Sequence, residues 1–255
     1  MIIKKNPGMG LKIAVAQIFC IDDDRAGNLQ RIENAINAVK GNQVDLIVFP
    51  ESVILGWINP NAHSQACPIP GEDSDHLCAL AKKHNLYIGI GLDEKDTNQL
   101  YDSALLIDNH GSILLKHRKI NVLPSLMSPP YSIGNTVNIV DTPFGKIGIL
   151  ICADSFQEDI LSLLSAKQPD LVLIPYGWAA EESEWPDHGK NLIKVVQNAS
   201  LKLSCTVIGA NSIGQITHGT WQGKIYGGQS VACNQYGEIL GIGKDRVEDI
   251  ITIVV

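Results

Sequence analysis

Two runs of the chain, Leu46-Ile47-Val48-Phe49 and Leu171-Val172-Leu173-Ile174, contain no polar side chain, and each sits between an Asp and a Pro (DLIVFPE and DLVLIPYGW). Strands this uniformly apolar have to be covered on both faces, which points to an α/β protein. The rest of the chain follows the same grammar, with Val- and Ile-rich runs alternating with helical periodicity. KIAVAQI reads as a strand, and NLQRIENAINAVK as a helix whose Leu29, Ile32, Ile36 and Val39 share one face before Gly41 stops it. DSDHLCALAKKHN reads as a second helix and LYIGIGL as a strand. SALLIDNHGSILLKHRK then reads as a hairpin turning at Asn109-His110-Gly111.

The second half repeats the pattern. KIGILICAD, DLVLIPYGW and CTVIGANS read as strands, EDILSLLSAK and Asp187 to Leu203 as helices, and QSVACNQYGEILGIG as a hairpin turning at Gln235-Tyr236-Gly237. LIDNHGSILL and ACNQYGEILG are counterparts, as are DLIVFPE and DLVLIPYGW. With no low-complexity linker between the halves, the expectation is one domain over residues 1–255. If the two sheets pack face to face, with helices on the outside, the fold is a four-layer α-β-β-α sandwich of two similar halves.

A net charge of −7 gives no electrostatic footprint for nucleic acid and no polybasic handle for a membrane surface. No apolar run approaches the roughly 20 residues a membrane helix needs. LKIAVAQIFC is too short for an export signal and has bulky Phe19 before Cys20, so the chain reads as cytoplasmic. The six cysteines, Cys20, Cys67, Cys78, Cys152, Cys205 and Cys233, form no CxxC pair and read as reduced thiols. The histidines form no HxxxH pair, so no metal site is expected.

Ligands of such sheets gather at strand ends, and three candidates stand there. Glu51 ends DLIVFPE, either as a surface cap or as a base in a poorly solvated pocket that raises its pKa. Lys119 ends GSILLKHRK, either as part of a solvated basic end with Lys116, His117 and Arg118 or as a fixed cation beside a developing oxyanion. Cys152 ends KIGILICAD. A thiol alone is usually a small structural hydrophobe, but the capping types Asp154 and Ser155 place this one at a strand-to-helix turn, where backbone N–H groups can face a substrate oxygen.

FPE with Glu51, HRK with Lys119 and ICAD with Cys152, in that order and spacing, resemble the nitrilase superfamily of carbon–nitrogen hydrolases. The resemblance extends from about Lys12 to Val255 and takes in IAVAQI, Gly71 in PIPGE, GANSIG around Asn211 and the closing YGGQSVACNQYGEIL. It implies the four-layer sandwich and hydrolysis of a non-peptide C–N bond of a small amide-type substrate through a cysteine thioester. By that resemblance Glu51 is the general base, and Lys119 with the Ala153 N–H stabilises the tetrahedral intermediate. No metal or organic cofactor is implied, and a homodimer or larger homo-oligomer is.

The sequence also departs from the family pattern. Family members often carry a second glutamate between the lysine and the cysteine. Here INVLPSLMSPPYSIGN contains no acid, and Met127 stands at the expected place. CADSFQED is a residue shorter than the common run after the nucleophile, and the family's Arg-Ala-x-Glu-Asn stretch is replaced by NASLKLSCTVIGAN. Trp178, Trp185 and His188 in the loop YGWAAEESEWPDHG, with Tyr131 and Trp57, are candidates to line the pocket. The missing acid leaves two other readings open: a ligand- or partner-binding protein on the same scaffold, and an acyltransferase that uses the same thioester.

Overall fold

The computed structural model describes residues 10–255; residues 1–9 of the expected domain lie outside that range. The first half runs β1 (Lys12–Gln17), α1 (Arg25–Ala38), β2 (Leu46–Val48), α2 (Ala62–Gln65), α3 (Glu72–His84), β3 (Tyr87–Asp96), β4 (Gln99–Ile107) and β5 (Ile113–Arg118). The second half begins with β6 (Ile139–Thr142), β7 (Gly145–Ile149), α4 (Glu158–Ser165), β8 (Leu171–Tyr176), β9 (Ala179–Ala180) and α5 (Asp187–Leu203). It closes with β10 (Thr206–Asn211), β11 (Ile213–Gln215), β12 (Ile225–Gly227), β13 (Val231–Cys233), β14 (Ile239–Ile242) and β15 (Asp249–Val254).

The strands form two six-stranded sheets, ordered β15-β1-β2-β3-β4-β5 and β14-β13-β10-β8-β7-β6, with a small third sheet of β11, β12 and β9. Read from β15 and from β6, the two large sheets share one pairing pattern. It runs antiparallel, parallel, parallel, antiparallel, antiparallel. The expected internal echo is therefore structural: β2 corresponds to β8, and the β4–β5 hairpin to β13–β14.

Helices α1 and α3 cover the outer face of the first sheet. Ile32, Ile36, Leu77 and Leu80 join Ala14, Ile47, Ile88 and Leu105 in one buried cluster. Helices α4 and α5 cover the second sheet, and the inner faces of both sheets meet in a second cluster that holds Ile13, Val48 and Leu106 with Ile149, Leu173 and Ile208. The α-β-β-α order follows. At the sheet interface Gly89 leaves room for Leu173, whose Cδ1 would lie 2.7 Å from a Cβ there. Local signals set the helix ends. α3 carries Glu72, Asp73 and Asp75 in its first turn and Lys82, Lys83 and His84 in its last, matching the helix dipole, and left-handed Asn85 ends it.

The structure adds elements that the periodicity did not mark. Residues 249–254 form β15, which returns antiparallel to β1 as an edge strand. β3 runs on to Asp96, past the expected end at Leu92, and turns tightly into β4. Among the described residues no helix is long and apolar enough to cross a membrane.

Candidate active site

Glu51, Lys119 and Cys152 each lie just beyond a strand of the sandwich: β2 ends at Val48, β5 at Arg118 and β7 at Ile149. All three are buried, with exposures of 1%, 2% and 4%. Burying charged groups this deeply requires partners, and the site supplies them. The Lys119 ammonium donates to Glu51 Oε1 and, at 3.1 Å, to Asp102 Oδ2. The other Glu51 oxygen accepts the backbone N–H of Gly177 at 2.5 Å. Gly177 follows β8, the counterpart of the strand that precedes Glu51, so the acid is held by matching strand ends of the two sheets.

The Cys152 turn is built differently. After β7 the chain enters a short 3-10 helix, Cys152–Phe156, and Cys152 itself takes a positive φ of 41°. A non-glycine residue in that region needs support from its surroundings. Asp154 supplies it. Its carboxylate accepts N–H groups from Ile151 at 3.1 Å, Ile120 at 3.0 Å and Asn121 at 2.7 Å, and the His117 ring lies 2.8 Å away. Asn121 returns a side-chain bond to the Ala153 carbonyl at 2.8 Å. The segment that carries Lys119 and the turn that carries Cys152 are thereby tied together. Ser155 extends the support, bonding the Cys152 carbonyl at 2.7 Å and the Tyr176 hydroxyl at 2.8 Å.

These surroundings set the protonation states. Burial, reinforced by the Glu51 charge, raises the Cys152 thiol well above its ordinary range, although Lys119 and the Gly177 N–H pull the other way. Burial also raises Glu51; Lys119 opposes this and Asp102 adds to it, and the carboxyl ends well above the ordinary carboxylate range. Burial alone would lower Lys119, but Glu51, Asp102 and Cys152 together outweigh it and hold the ammonium firmly charged. The resting thiol is therefore neutral, and the carboxylate beside it is a strengthened base.

The pocket candidates divide. Trp57 comes nearest the charged groups: its ring centroid lies 5.2 Å from Lys119 Nζ, and its ring would lie 3.1 Å from a Cβ on Gly177. Trp178 follows Gly177, bonds Asn211 through its backbone N–H at 2.8 Å and stacks on His188 with centroids 5.2 Å apart. Trp185 is buried against Gly227, where a Cβ would come 2.2 Å from its indole, and meets His188 edge-on at 5.4 Å. Tyr131 is also buried. Its hydroxyl donates to Asp93 at 2.8 Å and accepts the Ile58 N–H at 3.3 Å. Ala153 is buried directly after Cys152. Met127 lies in the apolar cluster under the first sheet, so the segment after Lys119 brings no carboxylate to the site.

Sequence reasoning missed Asp102, Asp93, Ser52 and Gly177. Asp102 and Asp93 face each other across β4 and β3, and the Ser52 hydroxyl lies 3.5 Å and 3.4 Å from their Oδ1 atoms. Two acids set into strands as apolar as YIGIGLDE and LYDSALLI were the available signal, since carboxylates are rarely buried without a task or a partner. Gly177 acts through its backbone N–H, which no side-chain pattern reveals. Among the described residues no group of three or more His, Cys, Asp or Glu side chains could hold a metal ion.

Comparison with solved structures gives the same architecture. An amidase from Nesterenkonia sp. superposes with a TM-score of 0.83 at 19% identity, over 98% of this chain and 92% of that one. A variant of that amidase, TM-score 0.84 at 19% identity with the same coverages, shows covalent addition of the acetamide moiety of fluoroacetamide at its active site cysteine. Among curated proteins, an (R)-stereoselective amidase of a Pseudomonas species is 25% identical over 252 residues, 95% of this chain and 85% of that protein. A bifunctional nitrilase/nitrile hydratase of Nicotiana tabacum is 28% identical over 187 residues, 65% of this chain. The chain spans 53% of that relative, about half its length. The carbon-nitrogen hydrolase family model matches residues 12–255, from the first strand to the last residue, and the protein belongs to that family.

Proposed function

We propose that the protein hydrolyses a non-peptide C–N bond of a small amide-type substrate through a thioester on Cys152. One observation carries the reading: a neutral buried thiol lies within the field of a carboxylate whose other contacts are a fixed ammonium and a backbone N–H. Glu51 takes the thiol proton as sulfur attacks the carbonyl carbon. Lys119 and the Ala153 N–H face the oxygen as it gains charge. Collapse of the tetrahedral intermediate breaks the C–N bond, and Glu51 returns the proton to the departing ammonia or amine. Glu51 then takes a proton from water, the resulting hydroxide attacks the thioester, and Cys152 leaves as the thiol with the carboxylic acid as second product. Splitting the displacement of a poor leaving group into two steps is the gain of the covalent route.

The near-complete burial of all three groups supports a small substrate. The amidase relative supports amide chemistry, and the covalent adduct on the neighbour's active site cysteine supports a nucleophilic thiol. The test is ammonia release across a panel of amides, carbamoyl amines and nitriles, with Cys152→Ala as control. Release that depends on Cys152 is expected. Release at the parent rate from the Ala variant contradicts the mechanism.

A further inference from the structure

Met127 leaves the site without the acid that the sequence pattern expects between Lys119 and Cys152, yet the Lys119 ammonium is not left with Glu51 alone. Its second partner comes from another element: Asp102, on β4, at 3.1 Å. Asp102 is fully buried, and its own backbone carbonyl accepts the N–H of Lys119 at 2.8 Å, so the two residues are locked to each other twice. We propose that Asp102 is a positioning residue of the reaction, supplying from β4 the second carboxylate that holds Lys119 and keeps Glu51 a strong enough base to deprotonate Cys152. The assignment rests on the Glu51–Lys119–Cys152 reading above.

The charges show why one carboxylate is not enough. A lone ammonium in contact with Glu51 would favour its ionised form and weaken it as a base. A second negative charge on the same ammonium offsets that pull, and Glu51 regains proton affinity while Lys119 stays charged. Asp102 acts on Glu51 in this direction.

The cross-strand pairing of Asp102 with Asp93 would otherwise set two like charges side by side. Burial, then the Asp102 charge, pushes the Asp93 carboxyl well up, although Tyr131 and Ser52 hydrogen-bond to it. Of the pair, Asp102 is the one that receives the Lys119 ammonium, at 3.1 Å, while Asp93 accepts the Tyr131 hydroxyl at 2.8 Å. The groups that face Glu51 are then Lys119, Asp102, Cys152, and the buried phenols of Tyr176 and Tyr226, which stay neutral.

The test is the pH dependence of kcat/KM for Asp102→Asn and Asp102→Ser, with Asp102→Glu as the charge-retaining control. Both neutral variants are expected to lose at least about tenfold in kcat, with KM little changed. Their acid limb should move to lower pH by about one unit, because Glu51 loses the charge that raised it. Asp102→Glu should keep the limb where it lies in the parent. An unmoved limb in a folded neutral variant overturns the proposal. So does failure of both neutral variants to fold while Asp102→Glu folds, which would make Asp102 a stabilising residue only. Activity that survives Cys152→Ala would instead sink the thioester reading, so the two failures are told apart.

Discussion

The carboxylate of Asp154 accepts the backbone N–H of Asn121 at 2.7 Å, binding the turn that begins at Cys152 to the segment that begins at Lys119. Cys152 and Lys119 follow strands of different sheets of the sandwich, so their spacing depends on this contact and on the neighbouring bonds to Ile120, Ile151 and His117.

Asp154→Asn should therefore lower both stability and turnover. Burial alone would raise this carboxyl, but His117, the Asn121 N–H and Lys119 outweigh it and hold it below its ordinary range. A depressed pKa contributes stability that is complete above the unfolded carboxylate range of about 4 and is lost as pH falls through the folded value. Urea denaturation at pH 7 should show a loss of about 2 kcal/mol in the variant, and the gap to the parent should narrow as the pH is taken below 4. A gap that stays constant with pH would contradict the charged role.

Glu51 has the opposite sign. Its raised proton affinity means that the active, ionised form is gained only above the ordinary carboxylate range. kcat/KM should rise with pH through a limb displaced upward from about 4.3, the value of a free glutamate. Lys119 stays charged beyond its usual range and sets no limb below it. Glu51→Gln should cost at least about a hundredfold in kcat. A pH–rate profile with its acid limb near 4 would contradict this.

Gly177→Ala tests the backbone contact. A Cβ there would stand 2.9 Å from Glu51 Oε2 and 3.1 Å from the Trp57 ring, and the carboxylate would have to move. Misplacing a catalytic group by a fraction of an ångström is expected to cost about tenfold or more in kcat/KM, with only a small drop in Tm. An Ala variant with full activity would show that the Glu51–Gly177 contact is dispensable.

Most of the layered fold is legible in the sequence because uniformly apolar runs such as LIVF and LVLI admit few alternatives, and because the two halves repeat each other. β15 is not, since DIITIV is a partly exposed edge strand whose role is fixed by its distant partner β1. The strand-end residues Glu51, Lys119 and Cys152 stand out by place and motif. Asp102 does not, because in YDSALLI it reads as one polar slot in a strand, and only the fold brings it to Lys119. The pocket aromatics are candidates by residue type alone, and type does not distinguish Trp57, beside Lys119, from Trp185, packed on Gly227.

Thiol labelling separates an assisted thiol from merely buried ones. Burial, with the Asp170 charge adding to it, raises Cys205 to about 12, and burial raises Cys233 to about 11, whereas Cys152 faces both Glu51 and Lys119. Iodoacetamide followed by peptide mass spectrometry should modify Cys152 first among the buried cysteines, with half-buried Cys67 and Cys78 reacting on their own course. Glu51→Gln should abolish the preference. Labelling of Cys152 no faster than Cys205 and Cys233 would favour a non-catalytic scaffold.

The most direct measurement is the intact mass of the protein, quenched in acid during turnover of an amide that releases ammonia. The account predicts a transient mass increase equal to the acyl group, localised to Cys152 and absent from Cys152→Ala, which should release no ammonia. Steady ammonia release with no adduct on Cys152, together with an active Cys152→Ala variant, would contradict it.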